Sequence, residues 1–238
     1  MTDIRDVWVY LAASPLLHLA LTLQAYQAGN WVYRRTGHNQ LFNPVLIAVV
    51  IVIAILVATG TTYQTYFEGA QFVHFLLGPA TVALAIPLYQ QFAHVLRSAL
   101  AILASVVVGS MTAAGSAMAI AWFMGASRMA FISIIPKSVT APVAMAIVKQ
   151  MGGVPSLTAV LVITTGIFGS IAGPPLLDLL RIGDWQARGF ALGTASHGIG
   201  TARALEDNSL AGAFAGLALG LNAIVTAVLL SLVWHLFV

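Results

Sequence analysis

Two runs of this sequence set cations and hydroxyls between residues that interrupt helices. The run IIPKSVTAPVAM, residues 134–145, holds Lys137, Ser138 and Thr140 between Pro136 and Pro142. The run GTASHGIGTARA, residues 193–204, holds Ser196, His197, Thr201 and Arg203 among Gly193, Gly198 and Gly200. Proline removes a backbone donor and glycine loosens the backbone, so each run predicts a broken helix. The N–H groups at the start of a half-helix bind anions, and a cation with nearby hydroxyls completes a seat for a carboxylate. The expectation is one shared anion site with the two breaks facing each other. Lys137 and Arg203 neutralise the charge. Ser138, Thr140, Ser196 and Thr201 donate hydrogen bonds, and Gly198 and Gly200 bring backbone N–H groups close. His197 is the candidate proton carrier, being the side chain that titrates nearest neutrality. The plain alternatives are a lysine stem lying on apolar surface with its ammonium at an interface, and a glycine-rich packing turn.

Other chemistries fit poorly. GIGTAR lacks the third glycine of the dinucleotide fingerprint, because Arg203 stands in its place. Ser196 and His197 are adjacent, so on a helix they point about 100° apart and do not form a nucleophile–base pair by themselves. The six histidines lack the i, i+4 pairing and nearby carboxylates of a metal site, and there is no cysteine. No enzyme, metal or cofactor is therefore expected. GGVPSLTA, residues 152–159, reads as a tight turn with Ser156 as a cap.

The elements that must position these residues belong in a membrane. The chain has 238 residues, 60% hydrophobic and 7% charged. Soluble domains carry about 25% charged residues, so a polytopic all-α membrane protein is the class that fits. The net charge of +3 is spread singly apart from Arg34-Arg35, which is no nucleic-acid footprint. Segment 7–32 reads as a first membrane helix rather than a cleaved leader. The run 44–60 reads as the purest lipid-facing span, opened by Asn43-Pro44. The run 61–71, TTYQTYFEGAQ, reads as a loop.

Further spans are expected at 72–92, interrupted at Pro79 and Pro87, and at 97–123. Others fall at 131–150, interrupted at Pro136 and Pro142, and at 156–180, 187–206 and 211–237. The total is about seven or eight segments. PATVALAI (79–86) resembles TAPVAMAI (140–147), and VVVGS (106–110) lies opposite ITTGI (163–167). This predicts repeated broken-helix units at about 72–123, 131–180 and 187–237. They form a transport core over 71–238 behind scaffold helices in 1–70. Thr81, the hydroxyl of the first repeat, joins the candidate ligand set. Basic residues divide five to four between the two sides, which barely orients the chain.

The runs PKSVTAPVAMAI, GGVPSLTA, TTGIFGSIAG, ARGFALGTASHGIGTARALE and GAFAGLALGLNAIVTA together resemble the LrgB/CidB family, over residue 70 to the C-terminus. The family includes antiholin-like bacterial membrane proteins and a plant plastid glycolate/glycerate transporter whose C-terminal half is similar. The resemblance implies broken, crossed helices like those of cation/proton antiporters and bile-acid transporters. It implies transport of small monocarboxylates such as glycolate, glycerate, pyruvate or lactate by alternating access. The alternative is a holin/antiholin-like regulator of murein hydrolases and autolysis. It further implies an inner-membrane location, a small LrgA/CidA-type partner and a homodimer.

Overall fold

The computed structural model describes residues 15–237 apart from 77, 78, 80, 81 and 84. Thr81, Gly78 and the beginning of segment 7–32 therefore lie outside the described residues. The regular elements among the described residues are all helices, with no strand. They fall into two units, residues 1–83 and 84–238.

In the first unit, α1 (Pro15–Arg35) and α2 (Pro44–Thr59) are joined through a short 3-10 turn. Asn43 starts α2: its Oδ1 accepts from the N–H groups of Val45 at 2.9 Å and Leu46 at 3.4 Å, and Pro44 follows at the first helical position. Gly60, at φ 65°, ends it in the left-handed region. Gly29 has no room for a Cβ against the Pro44 backbone, so the two helices meet closely there. The run 61–71 is not a loop. It lies mostly in α3 (Tyr63–Phe75). The polar and aromatic side chains serve packing on α1 rather than a turn. Thr22 Oγ1 and Tyr66 Oη lie 2.9 Å apart, and the His18 and Tyr66 rings meet edge to face at 5.9 Å. Gly69 lets α3 approach the backbone of Pro15.

The second unit runs through α4 (Ala85–Gln90), α5 (Phe92–Arg97), α6 (Ala99–Phe123), α7 (Arg128–Ile134), α8 (Ala141–Met151), α9 (Pro155–Leu179), α10 (Trp185–Asp207) and α11 (Ser209–Phe237). Three stretches, Ala99–Phe123, Pro155–Leu179 and Ser209–Leu232, are long and apolar enough to cross a membrane. At about 1.5 Å per residue, 25 residues exceed the roughly 30 Å of hydrocarbon. Among the described residues these three are the helices that meet both conditions.

Pro87 lies in the first turn of α4, where a missing N–H has no helical partner to lose; the chain instead turns at Gln91 and Ser98. Pro142 likewise sits in the first turn of α8. Pro136 lies in the non-helical link 135–140 between α7 and α8. Pro79 is helical, beside residues outside the described set. Ser156 does not cap α9: Val154 holds the cap position without a side-chain bond. The turn is held instead by Ser133, whose Oγ accepts from Val154 N at 2.9 Å and whose carbonyl accepts from Thr158 Oγ1 at 3.0 Å.

α11 packs at the centre of this unit. Its Phe214 and Ala218 meet Ile102 and Val106 of α6 and Phe190 of α10. Leu230 joins Ala114, Ile132, Ile135, Ile147 and Met151. Gly189 and Gly193 of α10 have no space for a Cβ against the Ala211 and Ala215 carbonyls. The α10–α11 pair is thus backbone on backbone, the close approach that small residues permit in membranes.

Candidate functional site

α10 is broken in its middle. Ser196 has φ −127° and ψ 15°, and His197 has φ 43° and ψ −132°. A non-glycine residue at that φ is strained and persists only where its surroundings hold it. Here the hold is explicit. His197 Nε2 lies 2.9 Å from the Val162 carbonyl of α9. A carbonyl only accepts, so this nitrogen is the donor. Thr201 Oγ1 donates to the His197 carbonyl at 2.8 Å and to Ala215 O at 3.3 Å.

The facing surface of α9 is shaped to receive the break. Gly166, Gly169 and Gly173 share one stripe of the helix. A Cβ on Gly166 would lie 2.6 Å from His197 Cε1, one on Gly169 would overlap Ser196 Oγ, and one on Gly173 would lie 2.6 Å from Leu192 Cδ2. The three glycines form a groove into which Leu192, Ser196 and His197 fit.

The second break, the link 135–140, meets the first. Asn222 of α11 donates from Nδ2 to the carbonyls of both Ser138 and Thr194, each at 3.0 Å. The residues read as two separate interruptions in sequence therefore share one amide.

Beside this junction lies a cavity of about 1010 Å³. Its walls come mainly from α6, α9, α10 and the 135–140 link, with Phe214 of α11, and they are largely small or apolar, with Gly109, Phe168, Gly169 and Phe190 among them. Lys137, Ser138, Thr194 and Ser196 supply polar groups. Lys137 Nζ donates to Ser138 Oγ at 3.3 Å. Among the described residues no carboxylate lies within ion-pair distance of Lys137. Thr194 is 7% exposed and Ser196 1%, yet neither hydroxyl has a hydrogen-bond partner. Asp184 also lines the cavity, but its Oδ1 is engaged by Ala187 N at 2.8 Å as the cap of α10.

The candidate residues divide accordingly. Lys137, Ser138 and Ser196 line the cavity together. Thr140, Gly198, Gly200, Thr201 and Arg203 do not. Thr140 holds the cap position of α8. Gly200 packs against Leu192 O, and Gly198 is exposed. Arg203 is paired within its own helix, to Asp207 at 2.6 Å and Glu206 at 3.6 Å, because the acids three and four residues on lie on its face. His197 braces the break instead of lining the cavity, and its Nε2 is committed to Val162.

Thr194 and Asn222, both at this junction, lie outside the expected set. Thr194 stood inside the glycine-rich run, and Asn222 is a lone amide in a span of apolar residues, the kind of intramembrane polar group that bonds across helices. That signal was available in the sequence.

Comparison with known proteins agrees with this description at the level of family. The family model described as the LrgB-like family matches residues 22–236. The uncharacterized protein YxaC of Bacillus subtilis (strain 168) is 38% identical over 226 residues, 95% of this chain and 98% of its own. A holin-like protein CidB of Staphylococcus epidermidis (strain ATCC 12228 / FDA PCI 1200) is 32% identical over 228 residues, covering 96% and 98%. The holin-like protein CidB of Staphylococcus aureus (strain N315) is 32% identical over 222 residues, covering 93% and 96%. No solved structure matches the chain. The resemblance carried by the runs from PKSVTAPVAMAI to GAFAGLALGLNAIVTA thus extends over most of the chain, and with three helices fit to cross a bilayer this integral membrane protein belongs to the LrgB-like family.

Proposed function

We propose that the protein binds a small monocarboxylate in the cavity beside the two breaks and carries it across the membrane by alternating access. The observation behind this reading is the pair of buried, unpartnered hydroxyls of Thr194 and Ser196 in a cavity with the unpaired ammonium of Lys137. An unsatisfied buried polar group costs about 1–3 kcal/mol, which a ligand accepting from both hydroxyls returns. One cation suits one negative charge. The substrate class is that of glycolate, glycerate, pyruvate and lactate, whose second oxygen suits the second hydroxyl. Arg203 is not part of this site. No chemical step is assigned to the protein. An inner-membrane location, a homodimer and a small LrgA/CidA-type partner belong to the same reading.

A second reading has its own support. Relatives 32% identical over nearly the whole chain are named holin-like proteins, and the comparisons back this reading better than transport. In it the protein regulates autolysis through a pore or scaffold and needs no specific anion site.

Proteoliposomes separate the two. A carrier gives saturable uptake of labelled glycolate or pyruvate, mutual competition between them, and about tenfold weaker uptake with Lys137→Met. Uptake that never saturates, together with release of an entrapped dye, sinks the carrier and leaves the holin-like reading.

A further inference from the structure

Asn222 lies within α11, 1% exposed, and is not among the residues lining the cavity. Every hydrogen-bonding position of its amide is engaged. Nδ2 has two hydrogens and gives one to Ser138 O and one to Thr194 O, each at 3.0 Å. Oδ1 accepts from Ser110 Oγ of α6 at 2.6 Å and from Thr226 Oγ1 one turn on at 3.2 Å. One side chain therefore joins α6, α10, α11 and the 135–140 link. The two carbonyls it holds belong to residues that line the cavity, one at each break.

We infer that Asn222 is a positioning residue. It fixes the spacing of the two breaks, so that Lys137 and Ser138 on one side and Thr194 and Ser196 on the other present to a single ligand. It acts through the backbone of the breaks and not by touching the ligand. A doubly donating amide suits this role because it satisfies two carbonyls at once, which a hydroxyl or a carboxyl group does not. The inference that the spacing governs affinity rests on the proposed anion site, but the tether can be measured without it.

The chain has no cysteine, so Ser138→Cys and Thr194→Cys form a clean pair for a short bifunctional thiol cross-linker in proteoliposomes. With Asn222 in place the pair cross-links readily. Asn222→Asp keeps the shape and both acceptor bonds but supplies at most one donor, so the cross-linking rate falls about tenfold. Ser110→Ala with Thr226→Ala removes only the acceptor-side partners and leaves the rate near the parent's. Where Asn222→Asp does not fold, Asn222→Thr, an uncharged single donor, gives the same reading. An unchanged rate in a folded Asn222→Asp or Asn222→Thr protein overturns the tether.

In the protein without introduced cysteines, Asn222→Asp raises the half-saturation concentration for glycolate about tenfold with a smaller change in maximal rate, because the competent arrangement is less populated. A lowered maximal rate at unchanged half-saturation overturns the positioning role. If no form shows saturable uptake while cross-linking falls as expected, the tether stands and the carrier reading falls.

Discussion

At His197 one residue holds two opposing terms. Its φ of 43° costs of order 1–3 kcal/mol in backbone strain, while Nε2 donates to Val162 O at 2.9 Å. The substitutions His197→Ala and His197→Gly separate them. Both lose the hydrogen bond and leave the Val162 carbonyl without this donor, but only glycine accepts the φ without strain. The expected order of stability, read as melting temperature in detergent, is parent, then His197→Gly, then His197→Ala, with alanine lower by about 1–3 kcal/mol. If alanine equals the parent, the ring does not brace the break. Lys137 gives a second prediction at this scale. Lys137→Arg retains the charge and so retains carboxylate uptake, though with altered half-saturation since the planar fork differs from a point charge. Lys137→Met weakens uptake about tenfold. Equal uptake in the two variants removes Lys137 from the site.

At the scale of elements the stripe on α9 decides whether the broken α10 can seat. Gly169→Ala drives a Cβ into Ser196 Oγ and is expected to destabilise by about 1–3 kcal/mol. Gly173→Ala meets only the far end of the Leu192 side chain, so it costs less. Gly220→Ala on α11 meets nothing within 4 Å and is neutral or stabilising by up to about 1 kcal/mol, the propensity difference in a helix interior. Thermal unfolding of the three variants tests this order, and a Gly169→Ala protein as stable as Gly220→Ala contradicts the groove. The spacing of Gly166, Gly169 and Gly173 was readable from the chain alone. Their partners were not, because a glycine states that something comes close without stating what. The error at 61–71 is of the same kind. A polar, aromatic run free of Lys and Arg reads as a loop by composition, but Tyr66 uses its hydroxyl and ring against α1 within a helix.

At the scale of the molecule the cavity joins α6, α9 and α10 with the 135–140 link, and its content is measurable. Thr112 lines it and is exposed, while Ala218 is fully buried in the core. A charged thiosulfonate reacts only with thiolate in water. It is expected to label Thr112→Cys in proteoliposomes and to leave Ala218→Cys unlabelled. Saturating glycolate is expected to slow the first reaction. Absence of labelling at Thr112→Cys would mean that lipid rather than water fills the space, and the anion seat with it would fail.

Composition alone settled the class of this protein, since 7% charged residues cannot cover a water-soluble surface of this length. The sequence by itself also marked the two runs that hold the breaks. Pro136 stands in the 135–140 link, because proline acts on the backbone where it stands. The break in α10 falls at Ser196 and His197 rather than at Gly198 or Gly200, and the bond of His197 to Val162 of α9 holds it. The named runs identified the family. Which side chains meet at those breaks was decided only by tertiary structure. Arg203 and Ser196 are seven residues apart in one run, yet the first finds its charge partner one turn further along the same helix and the second lies at the cavity. Lys137 and Thr194 are distant in sequence and line one space, where Asn222 binds the carbonyls of Ser138 on one side and of Thr194 on the other. Hydrogen bonds and ion pairs depend on which groups approach within about 3 Å. Residue type and spacing along the chain do not contain that distance once the contact is between helices.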